Sequence, residues 1–429
     1  MPQVNVIGAG LAGSEAALQL ADRGVEVNLY DCKPTVMSPA HHSADFAEVV
    51  CSNSFKSTEL SSASGLFKAE LDLLGCKLLK VARQCKVPAG GALAVDRENF
   101  SREVTTLLTN HKKINIIYKE VSDLPQGINI ICTGPLTTPS LCKYIRSVCG
   151  EFLHFFDAAA PIVTAESIDM QEAFVSDRYD KGEGDYVNCP LDKQQFEYFW
   201  EQLVSAQTAQ VKDFEKSEVF ESCMPIEVMA KRGQDTIRFG PLKPVGLIDP
   251  KTGKRPYAVV QLRKEDMAGI AYNLVGFQTH LTFGEQKRVF GLIPALKNAE
   301  FIRYGVMHKN IFIDSGKVLD NAFALKTNKN VYFAGQITGV EGYVESIGSG
   351  LVSALNCFRR LNGLTDIDLG ANTIVGCLSK YILSPKTDFQ PMNANFGLLP
   401  PLDTQIRDKK LKKLALAERS LNELKTLII

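Results

Sequence analysis

An α/β architecture, a parallel-sheet domain interrupted by a smaller α+β insertion, is predicted by three stretches of the sequence. The first is VNVIGAGLAGSEAALQLADRGVEVNLYD. There apolar Val4 to Ile7 run into a Gly-rich turn, an Ala/Leu-rich amphipathic helix and a second strand, Val25 to Tyr30. The second is NVYFAGQITGVEGYVESIGSGLVSALNCFRRL, residues 330–361, again a strand, a Gly-rich turn and a helix. The third is the section 166–310, where runs such as RPYAVVQLR (255–263) and AYNLVGFQT (271–279) alternate in polarity among Gly/Pro turns. Such alternation marks a half-buried antiparallel sheet. The expected division is 1–165 with 311–429 for the discontinuous sheet domain, and 166–310 for an insertion facing substrate.

Each element of the opening unit has a chemical reading. Gly8-Ala9-Gly10-Leu11-Ala12-Gly13 places a G-x-G-x-x-G pattern between strand and helix, and Asp31 ends the second strand. Gly8 permits the tight turn, Gly10 lets backbone amides approach a pyrophosphate, and Gly13 allows close helix–strand packing. The helix N-terminus favours the anion. Asp31 can accept from ribose hydroxyls, which suits FAD or NAD better than NADP; the motif does not choose between the first two. INIICTGP (128–135) adds an apolar strand ending in a Thr-Gly turn. The turn carrying Gly335, Gln336 and Gly339 is similar to the one with which large flavoproteins bring amides to the flavin end of FAD. FAD in a Rossmann-like, glutathione-reductase-like domain is therefore the expectation.

Composition narrows the remaining classes. At 429 residues two or three domains are expected. Lys+Arg and Asp+Glu are both 48, so a nucleic-acid partner must be met by a local basic patch. No apolar stretch has the length of a spanning helix and no secretory pattern opens the chain, so a cytoplasmic protein without membrane contact is expected. Eleven cysteines without a C-x-x-C pair suggest reduced thiols and no metal site. The tail from 406 reads as a basic amphipathic helix, with Leu411, Leu414, Leu421 and Leu424 inward and Lys409, Lys410, Lys412 and Lys413 outward. A solvated face is the simpler reading of those lysines, and an RNA-backbone contact the other.

Two lone thiols stand apart: Cys51 in EVVCSNSFKS and Cys223 in ESCMPIEVMAKRG. Ser52, Asn53 and Ser54 offer donors and Lys56 a positive charge to Cys51; Lys231 and Arg232 stand near Cys223. Such surroundings favour thiolate. These blocks, with GAGLAGSEAA, VPAGGALAVDRENFS (87–101), DRYDKGEGDYVNCP (177–190), FGPLKPVGL (239–247), RYGVMHKN (303–310), FAGQITGVEGYVES and FQPMNANFGLLPP, resemble the folate- and FAD-dependent uracil-5-methyltransferases of tRNA, in order over nearly the whole chain. A weaker likeness, mostly N-terminal, is to flavin proteins that install carboxymethylaminomethyl groups on tRNA with a GTPase partner. The sequence departs from the first pattern at Asp31, where Glu is usual, Lys56 for Arg, and Phe55 and Phe67 for Leu.

The resemblance implies that 5,10-methylenetetrahydrofolate gives a one-carbon unit, that FAD reduced by NADH or NADPH gives electrons, and that a uridine of folded RNA, the T-loop uridine 54 of tRNA, is methylated at C5. It also implies that Cys51 and Cys223 are the catalytic pair. Uracil C5 is a poor nucleophile until a thiolate adds at C6, and the C5 proton must later leave to a base. The residues do not assign the two roles, and Cys51 is the preferred nucleophile. His41, His42, Arg238, Arg263, Arg303, His308 and Lys309 are secondary candidates for phosphate, folate or RNA, and Tyr257, Tyr272, Tyr304 and Tyr343 for stacking on a base or pterin. The alternatives are the same chemistry on a uridine of 23S ribosomal RNA, a small-metabolite flavin oxidoreductase, and a non-catalytic RNA-folding flavoprotein. No obligate protein partner is implied.

Overall fold

β1 (Gln3–Ile7), α1 (Leu11–Asp22) and β2 (Glu26–Asp31) form the expected opening unit. The computed structural model describes residues 3–38, 40–180, 184–209, 224–387 and 389–427. α1 departs from the amphipathic expectation, since every residue from Leu11 to Ala21 is buried. The reason is its second neighbour. Its small side chains let the Tyr343–Leu361 helix pass at backbone distance, where a Cβ on Gly350 would stand 2.2 Å from the Ala12 carbonyl oxygen.

Five parallel strands make the first sheet, in the order Val331–Phe333, Ile128–Ile131, β1, β2, Ile114–Tyr118. Chain order reverses between β1 and Ile128–Ile131. In such sheets the crevice at the carboxyl ends of these two strands is where ligands sit. A second sheet of six antiparallel strands runs Phe174–Val175, Tyr186–Leu191, Ala258–Lys264, Ala271–Leu274, Ile162–Thr164, Phe301–Arg303. Each sheet has its own apolar core: one drawn from Val4–Ile145 and Phe312–Leu424, the other from Val163–Ala299. The antiparallel pair Leu153–Ala158 and Met307–Phe312 carries the chain into and out of the second.

The 255–263 run becomes the Ala258–Lys264 strand, but it is not half-buried. Ala258, Val260 and Leu262 enter the second core, and the alternate Gln261 and Arg263 are also buried. That polar face is covered by other protein, including the loop of Cys51, rather than by water. The 271–279 run stops as a strand at Leu274, ahead of a turn in which Gly276 takes φ +80°.

The tail is helical over Lys409–Leu427, with a rotated inner face: Leu416, Ala417, Ser420 and Leu424 are buried while Leu411 is 59% exposed. The buried carboxylate of Glu70 fixes this register. It accepts from the Ser420 hydroxyl and from the amides of Ile374 (2.8 Å) and Val375 (2.7 Å), which open the Ile374–Leu383 helix. Among the described residues no helix is long and apolar enough to cross a membrane.

Candidate active site

A cleft of about 750 Å³ opens at the crevice between β1 and Ile128–Ile131. Gly8, Gly10, Leu11, Ala12 and Asp31 line one part of it; Gly335, Gln336 and Tyr343 line the other. α1 begins at this wall with Gly10 as its N-cap and no side-chain cap, so first-turn amides are left for a ligand. Gly10 has nothing within 4 Å of where a Cβ would stand, whereas a Cβ on Gly13 would meet the Gly8 oxygen at 1.8 Å. One glycine leaves space for a ligand and the other lets the turn lie against the helix. Ala9, Gly13 and Gly339 lie behind the wall. Ala9 N donates to Asp31 Oδ2 (2.7 Å), and a Cβ on Gly339 would meet the Phe389 ring at 2.7 Å. Asp31 Oδ1 also accepts from Lys33 N (2.8 Å), so two backbone amides fix its carboxylate.

Tyr343 is the first residue of its helix, and its hydroxyl connects the cleft to Cys51. The phenol oxygen lies 2.8 Å from Cys51 N, 3.1 Å from Ser52 N and 2.9 Å from Cys51 Sγ. Its ring packs against Phe55 at 5.7 Å between centroids. Burial, with Cys51 beside it, pushes the phenol well above its ordinary range. The residues after Cys51 are held from the second sheet: Arg263 donates through Nε to Asn53 Oδ1 (2.9 Å) and through Nη2 to Ser52 Oγ (3.0 Å). Asn53 is fully buried and donates to the carbonyls of Val95 (3.1 Å) and Lys264 (3.0 Å).

Two arginines supply positive charge here. Arg97 Nη1 donates to the carbonyls of Val49 (2.7 Å) and Val50 (3.2 Å), and its Nε and Nη2 pair with Glu265. Burial opposes its charge, but Glu265, Tyr343 and Cys51 together outweigh burial and raise its pKa. Arg303 is lowered by burial and by Arg97, against the pull of Tyr343, Cys51 and Glu48. Among the described residues its Nη2 has no hydrogen-bond partner. Lys56, the cation expected from sequence, pairs with buried Glu345 at 3.3 Å. Asn53 points its amide at backbone carbonyls, and the Tyr343 hydroxyl stands 2.9 Å from the sulfur.

Cys223 lies outside the described residues. His41 lines the cleft, with Nδ1 2.6 Å from the Ser38 hydroxyl, and burial lowers its pKa toward the neutral ring. His42 meets Glu48 through its backbone amide. Arg238 stacks over Tyr257 at 3.9 Å, Tyr257 and Tyr272 pack on the second core, and Tyr304 stacks between Phe283 and Phe301. Of His308 and Lys309 only the backbone is described. Arg97, Glu265 and Glu48 went unnoticed in sequence; Arg97 sits inside the matched block 87–101 but carries no local sign of its partners.

The parallel sheet, the glycine turns and the cleft define a dinucleotide-binding α/β protein carrying an antiparallel insertion. The family model described as glucose inhibited division protein A matches residues 3–365. A methylenetetrahydrofolate–tRNA-(uracil-5-)-methyltransferase TrmFO of Desulfitobacterium hafniense (strain Y51) is 56% identical over 99% of this chain and 98% of its own length. That of Acetivibrio thermocellus is 55% identical over 98% of each. The chain belongs to the family of methylenetetrahydrofolate–tRNA-(uracil-5-)-methyltransferases. Two crystal forms of Aquifex aeolicus GidA share its fold, with TM-scores of 0.71 and 0.69 at 18% and 17% identity, over 99% of this chain and 76% and 75% of theirs.

Proposed function

We propose that this chain forms 5-methyluridine in folded tRNA, at T-loop uridine 54, taking its carbon from 5,10-methylenetetrahydrofolate with FAD as redox cofactor. NADH or NADPH is the reductant and the cytoplasm the compartment in this reading. The observation that carries it is the placement of Cys51: a half-buried thiol beside two arginines, one hydrogen bond from the end of a dinucleotide-sized cleft. The relatives' names specify tRNA, and no observation favours ribosomal RNA. A small-metabolite oxidoreductase leaves the shaped thiol without use.

The residues fit FAD. The open side of Gly10, the uncapped amides of α1 and the anchored Asp31 suit an adenosine diphosphate, and Gly335 and Gln336 suit the far end. We assign Gly8 to Gly13, Asp31, Gly335, Gln336 and Gly339 to this cofactor, within a domain of 1–165 and 311–429, and 166–310 to substrate. When bound and reduced, FAD supplies the electron pair that brings the transferred carbon to the methyl level. The protein's part is to add the Cys51 thiolate to uracil C6, making C5 nucleophilic toward the folate methylene. Cys223 then takes the C5 proton, the bond from the transferred carbon to the folate nitrogen breaks and frees tetrahydrofolate, and the thiolate leaves C6 as that carbon is reduced to methyl. Arg303, with its unpartnered Nη2, suits the oxyanion that builds on the uracil ring.

RNA carrying 5-fluorouridine at the target tests the roles, because fluorine at C5 does not leave as a proton and the thioether persists. Wild type and Cys223→Ala should trap a covalent adduct and Cys51→Ala should not. Normal methylation by both alanine variants refutes the reading.

A further inference from the structure

We propose that Tyr343 is a positioning residue for Cys51, donating its hydroxyl hydrogen to Sγ so that the sulfur is held as a thiolate at the end of the cleft. This rests on the reading of Cys51 as the reactive thiol and adds what makes it reactive. The argument is one of valence. A phenol oxygen has one hydrogen and two lone pairs. The amides of Cys51 (2.8 Å) and Ser52 (3.1 Å) have no role except as donors, and both point at this oxygen. Its lone pairs are thereby used. The third contact, 2.9 Å to Cys51 Sγ, is left for the hydroxyl's own hydrogen. Were the thiol the donor instead, one oxygen would accept three hydrogen bonds and its own hydrogen would have to point elsewhere.

The donation has consequences. Two amides on the oxygen polarise its O–H bond, which strengthens the bond to sulfur. A hydrogen bond to the charged form of a group favours that form, and Arg97 and Arg303 pull the same way. Because both amides belong to the thiol's own loop, one hydroxyl fixes where the sulfur lies as well as its charge. Sequence gives no hint of this, since the two residues are 292 positions apart.

Alkylation of Cys51 measures the effect without turnover. The purified protein, cofactor included, is treated with iodoacetamide across roughly pH 5.5 to 9.5, and the Cys51 peptide is followed by mass spectrometry. Tyr343→Phe keeps the ring, its packing on Phe55 and the cleft wall, and removes the hydroxyl. The alkylation midpoint should rise by about one to two pH units, slowing the reaction at pH 7 about ten- to hundred-fold. Cys377, half-buried and outside the lining of the cleft, serves as the internal reference and should keep its profile. Replacing Tyr343 by 3,5-difluorotyrosine, a stronger donor, should lower the midpoint. An unmoved midpoint in Tyr343→Phe, or one that rises with difluorotyrosine, overturns the proposal, even if methylation falls. Wild type that shows the shift yet traps no 5-fluorouridine RNA leaves this inference standing and defeats the methylation reading instead.

Discussion

Substituting two glycines of one turn should separate cofactor binding from folding. Gly10 has extended backbone, φ −72° and ψ −169°, a conformation open to any residue, and nothing lies within 4 Å of its Cβ position. Gly10→Val therefore meets ligand rather than protein. With fewer chain conformations to lose, the FAD-free protein should be as stable as wild type or up to about 1 kcal/mol better. Its γ-methyls stand where a pyrophosphate reaches the first amides of α1. Loss of one or two charged hydrogen bonds there costs about 2 to 3 kcal/mol, or about 30- to 150-fold in affinity. Gly13→Ala is the opposite case. Its Cβ would stand 1.8 Å from the Gly8 oxygen, backbone against backbone, so β1 and α1 must part. About 3 kcal/mol of stability should go, at the upper end of overpacking costs. Flavin titration at 450 nm and thermal melting of the FAD-free forms read the two effects. If Gly10→Val melts as low as Gly13→Ala, or keeps its flavin affinity, the reasoning about this turn is wrong.

Burial pushes the Glu70 carboxyl up to about 7 from 4.5, despite its bonds to Ser420, Ile374 and Val375. A carboxyl raised in the fold contributes stability that is full below 4.5 and is lost as pH climbs through 7. Docking of the tail helix should thus weaken by roughly 2 kcal/mol from about pH 5.5 to 8. Hydrogen exchange over residues 409–427 measures this, and Glu70→Gln should flatten it; equal slopes in the two proteins would rule the carboxyl out. Arg303→Met should change stability by less than about 1 kcal/mol, because Nη2 has no partner to lose among the described residues, yet it should slow Cys51 alkylation. An unchanged alkylation rate would remove Arg303 from the site. Label should pass from the methylene of the folate donor into 5-methyluridine, and none from S-adenosylmethionine; equal transfer from both would refute the donor assignment.

Legibility in the sequence followed distance along the chain. The β1–α1–β2 turn and the turn at Gly335 announce themselves through local glycine spacing, although Gly8, Gly335 and Gly339 pack against Cys132, Ala12 and Phe389, far along the chain. Cys51 stood out as an isolated thiol in a matched block, but its surroundings did not. Lys56, five residues on, is the charge the local sequence offers, and its ion pair is with Glu345, 289 positions away. The arginines near the thiol come from the Arg97–Thr109 helix and from strands of the second sheet. The tail shows the same limit. Counting leucines on a helical period chose Leu411 as an inner residue, whereas a polar contact, Ser420 on Glu70, sets the rotation. The alternation in Ala258–Lys264 was read correctly as two-faced and wrongly as half-wet, because Arg263 and Gln261 are covered by segments distant in sequence.

The Asn53 amide and the Arg263 guanidinium have a further meaning for how the protein matures. Asn53 reaches Val95 on one side and Lys264 on the other, while Arg263, the strand residue before Lys264, holds Ser52 and Asn53 together. During synthesis Cys51 is made some 210 residues ahead of the strand that shapes its loop. Until that strand is made and paired, the thiol belongs to an unshaped segment and reacts as an ordinary cysteine. On the reading of Cys51 proposed above, the insertion sheet shapes the loop and Tyr343, made later still, supplies the hydroxyl at the sulfur, so an incompletely folded chain is also an unarmed one.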